Sequence, residues 1–200
     1  MKPLSASLGD PAGVGPELLC EAWAQRETLG LPPFFVAGGA SILAAAAWQR
    51  GLDLTVGSIA SPGEAADAFA DVLPVLGELD GEYAPGEPDS DGATLAFASL
   101  EAATKLTIEG EASALVTSPV SKALLAAVGF RFPGQTEFLA HACGIAEHEA
   151  VMMLAGPHLR TVPVTVHVPL CRVSELLNVD ELVAKSRIVA QALQRDFAIA

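Results

Sequence analysis

Short apolar runs alternate with helix-patterned segments from the first residues onward, and that alternation limits the fold more than any other feature of the 200-residue chain. Residues 4–8 predict a strand, and a Gly/Pro turn leads from it into a helix starting at Pro16. Proline is favoured at the first helical position, and Gly30 supplies the stop. Residues 34–37 predict a second strand, followed by Gly38-Gly39 and an alanine-rich helix that ends at Gly51. Residues 52–56 and 72–76 read as further short strands. A helix from Asp91 carries Leu95, Ala98, Ala102 and Leu106 on one stripe. Residues 112–117 predict a strand, and residues 119–128 and 137–143 predict helices. Two apolar runs follow at 150–155 and 162–168, with Pro163 confined to the start or edge of the second. The last helix runs from Asp180 to about Phe197 and sets Leu182, Val189, Leu193 and Phe197 on one side. Strands alternating with helices place the chain in the α/β class, with a parallel or mixed sheet and crossover helices.

Residues 78–92 interrupt this pattern with an acidic stretch rich in proline and glycine. It reads as a loop, and either as a division between an N-terminal α/β part and a second, cleft-forming α/β part or as a solvated excursion within one domain. The surrounding charge is one-sided: residues 51–104 hold eleven Asp and Glu and no Lys or Arg, within a chain of net charge -13. Nucleic-acid binding through a basic surface is excluded by that balance, and an anionic ligand would have to be held by a few local groups. Cys20, Cys143 and Cys171 are odd in number and form no C-x-x-C pair, so they read as free thiols in a reducing compartment. No apolar run approaches a membrane span, and Asp10 and Pro11 interrupt any signal-peptide core. A cytoplasmic protein without membrane partners is the expectation.

Four clusters could carry chemistry. Gly9-Asp10-Pro11-Ala12-Gly13-Val14-Gly15-Pro16-Glu17 is a glycine-rich turn between a strand and a helix, where free backbone N–H groups can meet an anion. It lacks both the G-x-G-x-x-G spacing and the Gly-Lys-Ser/Thr ending of a Walker loop, and turn glycines need no ligand. In Thr117-Ser118-Pro119-Val120-Ser121-Lys122 a cation opens a helix, where it opposes the helix dipole. Lys122 is therefore either a point charge for phosphate or carboxylate or an exposed lysine in solvent. In Phe132-Pro133-Gly134-Gln135-Thr136-Glu137-Phe138, Gln135 and Thr136 can donate and accept hydrogen bonds, and Thr136 can equally cap the next helix. His167 ends an apolar strand and is either a metal ligand or a hydrogen-bonded core residue, with Cys171 four positions on as an inert thiol. His141, His148 and His158 have no ligand-like spacing.

Taken together, G-D-P-A-G-V-G-P-E, V-T-S-P-V-S-K, F-P-G-Q-T-E-F-L-A and T-V-H-V-P-L resemble, in order and separation, the 4-hydroxythreonine-4-phosphate dehydrogenase family. The resemblance runs the length of the chain. It implies a fold like that of isocitrate and isopropylmalate dehydrogenases, with two α/β domains around a cleft and a homodimer whose metal site is shared across the interface. The implied reaction is oxidation of 4-phosphooxy-L-threonine by NAD (or NADP), then decarboxylation to 3-amino-2-oxopropyl phosphate in pyridoxal 5'-phosphate (vitamin B6) biosynthesis. A divalent metal (zinc, magnesium or cobalt) would polarise the alcohol and then the ketone oxygen. Residue by residue, Gln135 and Thr136 match the family's substrate-contacting pair and His167 its first metal ligand. Lys122 lies in a motif that lines the same cleft. No step is assigned to Asp10.

This chain departs from the family pattern twice. Many members have histidine where Gln135 stands, and glutamine cannot titrate near neutral pH. A related dehydrogenase of phosphorylated threonate or erythronate is therefore the alternative substrate reading. Family chains are also longer, and the segment expected to carry the second metal ligand lies beyond Ala200. The expectation is a C-terminally incomplete dehydrogenase, inactive as 200 residues, with a short non-catalytic protein that binds a phosphorylated ligand as the rival.

Overall fold

The computed structural model describes residues 2–146, 149–166 and 168–199. They fall into two compact units, Met1–Phe132 and Pro133–Ala200. Residues 78–92 lie inside the first unit and do not divide it. The polar, glycine-rich stretch has a linker's composition, but its backbone is tied to earlier parts of the same unit: the Gly39 amide donates to the Leu79 carbonyl at 2.6 Å, and the Gly86 amide donates to the Ala12 carbonyl at 2.9 Å.

In the first unit, strands β1 (Leu4–Ser7), β2 (Phe34–Ala37), β3 (Val56–Ile59), β4 (Leu73–Leu76) and β5 (Leu115–Val116) form one parallel sheet in the order β3-β4-β2-β1-β5. The intervening helices are α1 (Gly15–Ala24), α2 (Arg26–Leu29), α3 (Ala40–Arg50), α4 (Ala65–Ala68) and α5 (Ser90–Ile108), and α6 (Lys122–Ala127) follows β5. All four residues of β2 are buried, as a strand covered on both faces requires. Phe34 and Val36 join Leu19, Cys20, Trp23, Ile42 and Leu43 in the main core, while Phe35 packs with Ile59, Ala65 and Ala112. The Trp23 indole, buried in that core, donates to the Phe69 carbonyl at 3.1 Å.

Several boundaries differ from the sequence expectation for local reasons. Residues 52–54 complete the end of α3: the Leu52 amide donates to the Ala47 carbonyl at 2.9 Å past the left-handed cap Gly51, so β3 begins only at Val56. On α5 the buried face is Leu95, Ala96, Ser99, Leu100 and Ala103, and the Ala98–Ala102–Leu106 stripe is only partly buried. The helix expected from residue 119 starts at Lys122, because the Pro119 carbonyl is engaged by the Asp10 amide.

The second unit holds α7 (Gln135–Ala142), an antiparallel pair β6 (Leu154–Ala155) and β7 (Arg160–Thr161), and helices α8 (Val173–Leu176) and α9 (Val179–Phe197). The run at 162–168 is not a strand in its described residues. Pro163 has no amide to offer, and the Val164 carbonyl accepts from the Lys185 ammonium at 2.5 Å. Asn178 caps α9 by accepting from the Glu181 amide at 2.9 Å. α9 buries no residue completely, and Leu182, Val183 and Phe197 remain about two-fifths exposed.

Candidate functional site

The connection from β1 leads to β2 on one side of the sheet, while β5 lies against β1 on the other. β1 is thus flanked by β2 and β5, and the carboxyl ends of adjacent parallel strands are where open sheets receive ligands. Two of the four clusters meet there. The Asp10 amide donates to the Pro119 carbonyl at 3.0 Å, and the Ser118 amide donates to the Ser7 hydroxyl at 3.1 Å. Gly15 opens α1 directly beneath: a Cβ there would lie 2.8 Å from the Leu8 carbonyl oxygen and 3.2 Å from the Ser118 Cβ.

Asp10 is buried and shapes its own loop, Oδ1 accepting from the Ala12 amide at 2.9 Å and its carbonyl from the Gly13 amide at 3.0 Å. Glu17, the last residue of the motif, accepts from the Tyr83 hydroxyl at 3.0 Å and lies 3.5 Å from the Arg50 guanidinium, which also reaches Glu21 at 3.1 Å. Burial, followed by the hydrogen bond to Glu17, pushes the Tyr83 phenol up to about 12. The segment 78–92 is thereby held against the first loop. Between them lies a cavity of about 300 Å³ whose lining includes Asp10, Asp80, Glu82, Glu87, Asp89 and Asp91 and no lysine or arginine. That lining would repel a phosphate or a dinucleotide's pyrophosphate, so the cavity does not fit such a group.

Lys122 is exposed as the first residue of α6, whose cap Ser121 makes no side-chain capping bond. Gln135 and Thr136 open α7 in the second unit. The helix cap is Gly134, with extended backbone and no side-chain capping bond, so Thr136 is not the cap. Its side chain is instead exposed in the first turn, beside Leu139, Ile145, Val151, Met153 and Phe197 along an apolar groove of about 410 Å³. His167 lies outside the described residues, as does His148. His141 sits in the last turn of α7 and His158 is exposed. Among the described residues no group of three His, Cys, Asp or Glu is placed to hold a metal ion, so these residues alone do not fit a firmly bound divalent metal. No helix among them is long and apolar enough to cross a membrane.

Three buried serines of β1 and α5 escaped sequence reasoning. Ser5 and Ser7 alternate with apolar residues in β1 and are fully buried; the Ser5 hydroxyl has no hydrogen-bond partner. Ser99 interrupts the buried face of α5. The available signal was the serine pair two positions apart, which a strand sends to one face.

The chain matches the family model described as pyridoxal phosphate biosynthetic protein PdxA over residues 31–200. It is 54% identical over 198 residues to the 4-hydroxythreonine-4-phosphate dehydrogenase of Erythrobacter litoralis, a match covering 99% of this chain and 59% of that protein. Identity to the enzyme of the same name from Zymomonas mobilis is 48% over 200 residues, covering all of this chain and 58% of the relative. A crystal structure of 4-hydroxythreonine-4-phosphate dehydrogenase from Klebsiella pneumoniae superposes with a TM-score of 0.85 at 28% identity, over 98% of this chain and 60% of that one. This likeness bears out the expected α/β fold of the isocitrate/isopropylmalate dehydrogenase type. The chain thus spans about three-fifths of the length of the relatives it matches.

Proposed function

The chain belongs to the PdxA family, and on that premise we propose that it carries part of a dehydrogenase that oxidises and decarboxylates 4-phosphooxy-L-threonine with NAD or NADP. The observation that carries the reading is the meeting of the Gly9–Glu17 and Thr117–Lys122 motifs at the carboxyl ends of adjacent strands, in a chain so similar to enzymes of that name. Reduced nicotinamide and carbon dioxide would be the products besides the amino ketone phosphate, in the reducing cytoplasm that three unpaired thiols suit.

In this reading Gln135 and Thr136 hydrogen-bond the substrate, and Lys122 offers a positive charge to its phosphate or carboxylate. Gln135 cannot take up or release a proton near neutral pH, so its role is to bind and orient. His167 would be one ligand of a divalent metal, which would stabilise the developing negative charge on the substrate oxygen. The described residues alone do not complete that metal's site. A homodimer that brings further ligands to a shared site belongs to the same proposal.

The test is an assay of the protein purified from its source for metal-dependent reduction of NAD or NADP. Turnover of 4-phosphooxy-L-threonine is the expected result. Preference for phosphorylated threonate or erythronate would move the substrate in the direction Gln135 suggests. Absence of nicotinamide reduction with all three would overturn the dehydrogenase reading in favour of non-catalytic binding.

A further inference from the structure

We propose that Ser99 is a positioning residue that holds the β1–β2 end of the sheet open and thereby sets the course of the loop at residues 9–14. The inference rests on the dehydrogenase reading only for what that crevice receives; the geometry stands apart from it.

The Leu4 amide donates to the Pro33 carbonyl at 2.9 Å, and β1 and β2 pair in register from Leu4↔Phe34 to Ser7↔Ala37. Even-numbered amides of β1 thus face β2, each toward the carbonyl one residue before its partner. Continued by one rung, the Leu8 amide would bond the Ala37 carbonyl. It does not. The Leu8 amide donates to the Ser99 hydroxyl at 2.8 Å, and that hydroxyl donates to the Ala37 carbonyl at 2.6 Å. One side-chain oxygen has been inserted into the ladder where the strands part.

The opposite edge of β1 ends in a similar way. The Ser5 amide donates to the Ala114 carbonyl at 2.9 Å, so the next rungs would bring the Ser118 amide to the Ser7 carbonyl. It finds the Ser7 hydroxyl instead. Both ladders of β1 therefore stop on serine hydroxyls, and Gly9 begins the turn immediately beyond.

Helix stability does not account for Ser99. Thr94, Thr104 and Thr107 on α5 turn their hydroxyls back to carbonyls four residues earlier in the helix, at 2.8, 2.6 and 2.9 Å. Ser99 is fully buried and its hydroxyl bridges Leu8, the residue after β1, to Ala37 of β2. Serine in a helix interior is worse than alanine, and its burial is tolerable here because both its donor and its acceptor are satisfied.

The test reads hydrogen bonds directly, by NMR scalar coupling across them in the isotopically labelled full-length protein. In the native protein a coupling between the Leu4 amide nitrogen and the Pro33 carbonyl carbon is expected, and none between Leu8 and Ala37. Ser99→Ala should create the Leu8–Ala37 coupling and shift the amide resonances of residues 9, 10 and 12–14, while those of residues 34–36 stay in place. Ser99→Thr, which keeps the hydroxyl, should restore the native pattern. A direct Leu8–Ala37 coupling in the native chain would overturn the proposal, and so would unmoved resonances at residues 9, 10 and 12–14 in Ser99→Ala. If Ser99→Ala does not fold, the native coupling decides alone. None of these readouts involves turnover, so failure here leaves the dehydrogenase reading intact, and failure of that reading leaves these intact.

Discussion

Gly9 and Ser118 stand so close that a Cβ on Gly9 would lie 2.7 Å from the Ser118 Cβ and 2.8 Å from the Pro119 carbonyl oxygen. Gly9 also has φ +78°, in the left-handed region. Gly9→Ala therefore combines backbone strain with a clash against main chain, and should destabilise the first unit by about 1–3 kcal/mol. Urea unfolding followed by tryptophan fluorescence measures this cleanly, because Trp23 and Trp48 both lie in that unit. Gly63→Ala is the control. The nearest atom to a Cβ at Gly63 is the Ser61 Oγ at 3.8 Å, so its unfolding free energy should stay within about 0.5 kcal/mol of native.

Asp80 caps a helix to which it does not belong. Its carboxylate accepts from the Ser41 amide at 2.9 and 3.2 Å, at the start of α3, where Gly39 offers no side-chain cap. Burial pushes the Asp80 carboxyl up, but hydrogen bonds from Ser41 and from the Gly81 amide outweigh it, and the net shift is below the ordinary value of 3.8. A carboxyl lowered in the folded state stabilises above its unfolded value, and that stability is lost as pH falls through the folded value. Asp80→Ala should thus cost about 0.5–1 kcal/mol, the lower part of the capping range, since the residue is solvent-exposed. The cost should be equal at pH 7 and pH 5 and shrink below about pH 3.8, which denaturation at the three pH values would show.

What the sequence disclosed and what it hid divide along physical lines. β2 was legible to the residue because Phe34–Ala37 is apolar on both faces and bounded by proline and glycine. The two loop motifs were legible as compositions, but their meeting was not, since it depends on β5 crossing to the far side of β1. Ser99 was hidden for a different reason. Helical periodicity counts apolar positions, and the stripe through Ala98 and Ala102 runs beside the buried face, whose central residue is polar. Asp80 and Tyr83 sat in a segment whose composition says only that it is a loop; their contacts with α3 and Glu17 are tertiary. The candidate site shows the same limit. Gln135 and Thr136 stand out by motif as candidates only, and Thr136 does not cap α7 because Gly134 holds that position in extended conformation.

The three thiols should separate by reactivity. Cys20 is fully buried, with its Sγ 3.3 Å from the Leu43 carbonyl, whereas Cys143 and Cys171 are exposed. Burial, then the charges of Glu21 and Glu17, pushes the Cys20 thiol up to about 12, so it holds almost no thiolate at pH 8. An aromatic disulfide reagent should label Cys143 and Cys171 rapidly in the native protein, and Cys20 only as fast as the first unit opens. Adding urea above the unfolding midpoint should bring Cys20 to the rate of the others. Rapid labelling of Cys20 in the native protein would contradict its place in the core.

The hydrogen bond from Tyr83 to Glu17 ties the acidic segment to the glycine-rich loop, and its removal tests whether that segment is held or merely adjacent. A bond to a charged acceptor contributes about 1.5–3 kcal/mol when buried, and this one is only partly buried, so Tyr83→Phe should cost about 1 kcal/mol. The ring stays packed against the main core, which confines the change to the hydroxyl. Glu17 then retains Arg50 at 3.5 Å, so the carboxylate is not stranded. Loss of the tie acts locally, on a segment whose other fastenings are the Gly39–Leu79, Gly86–Ala12 and Ser41–Asp80 bonds. Amide hydrogen exchange should therefore quicken at Gly86, on the far side of Tyr83 from Asp80, while Gly39 keeps its native protection. Equal acceleration at both would mean that the whole segment opens as one unit and that Tyr83 supports more than its own end of it.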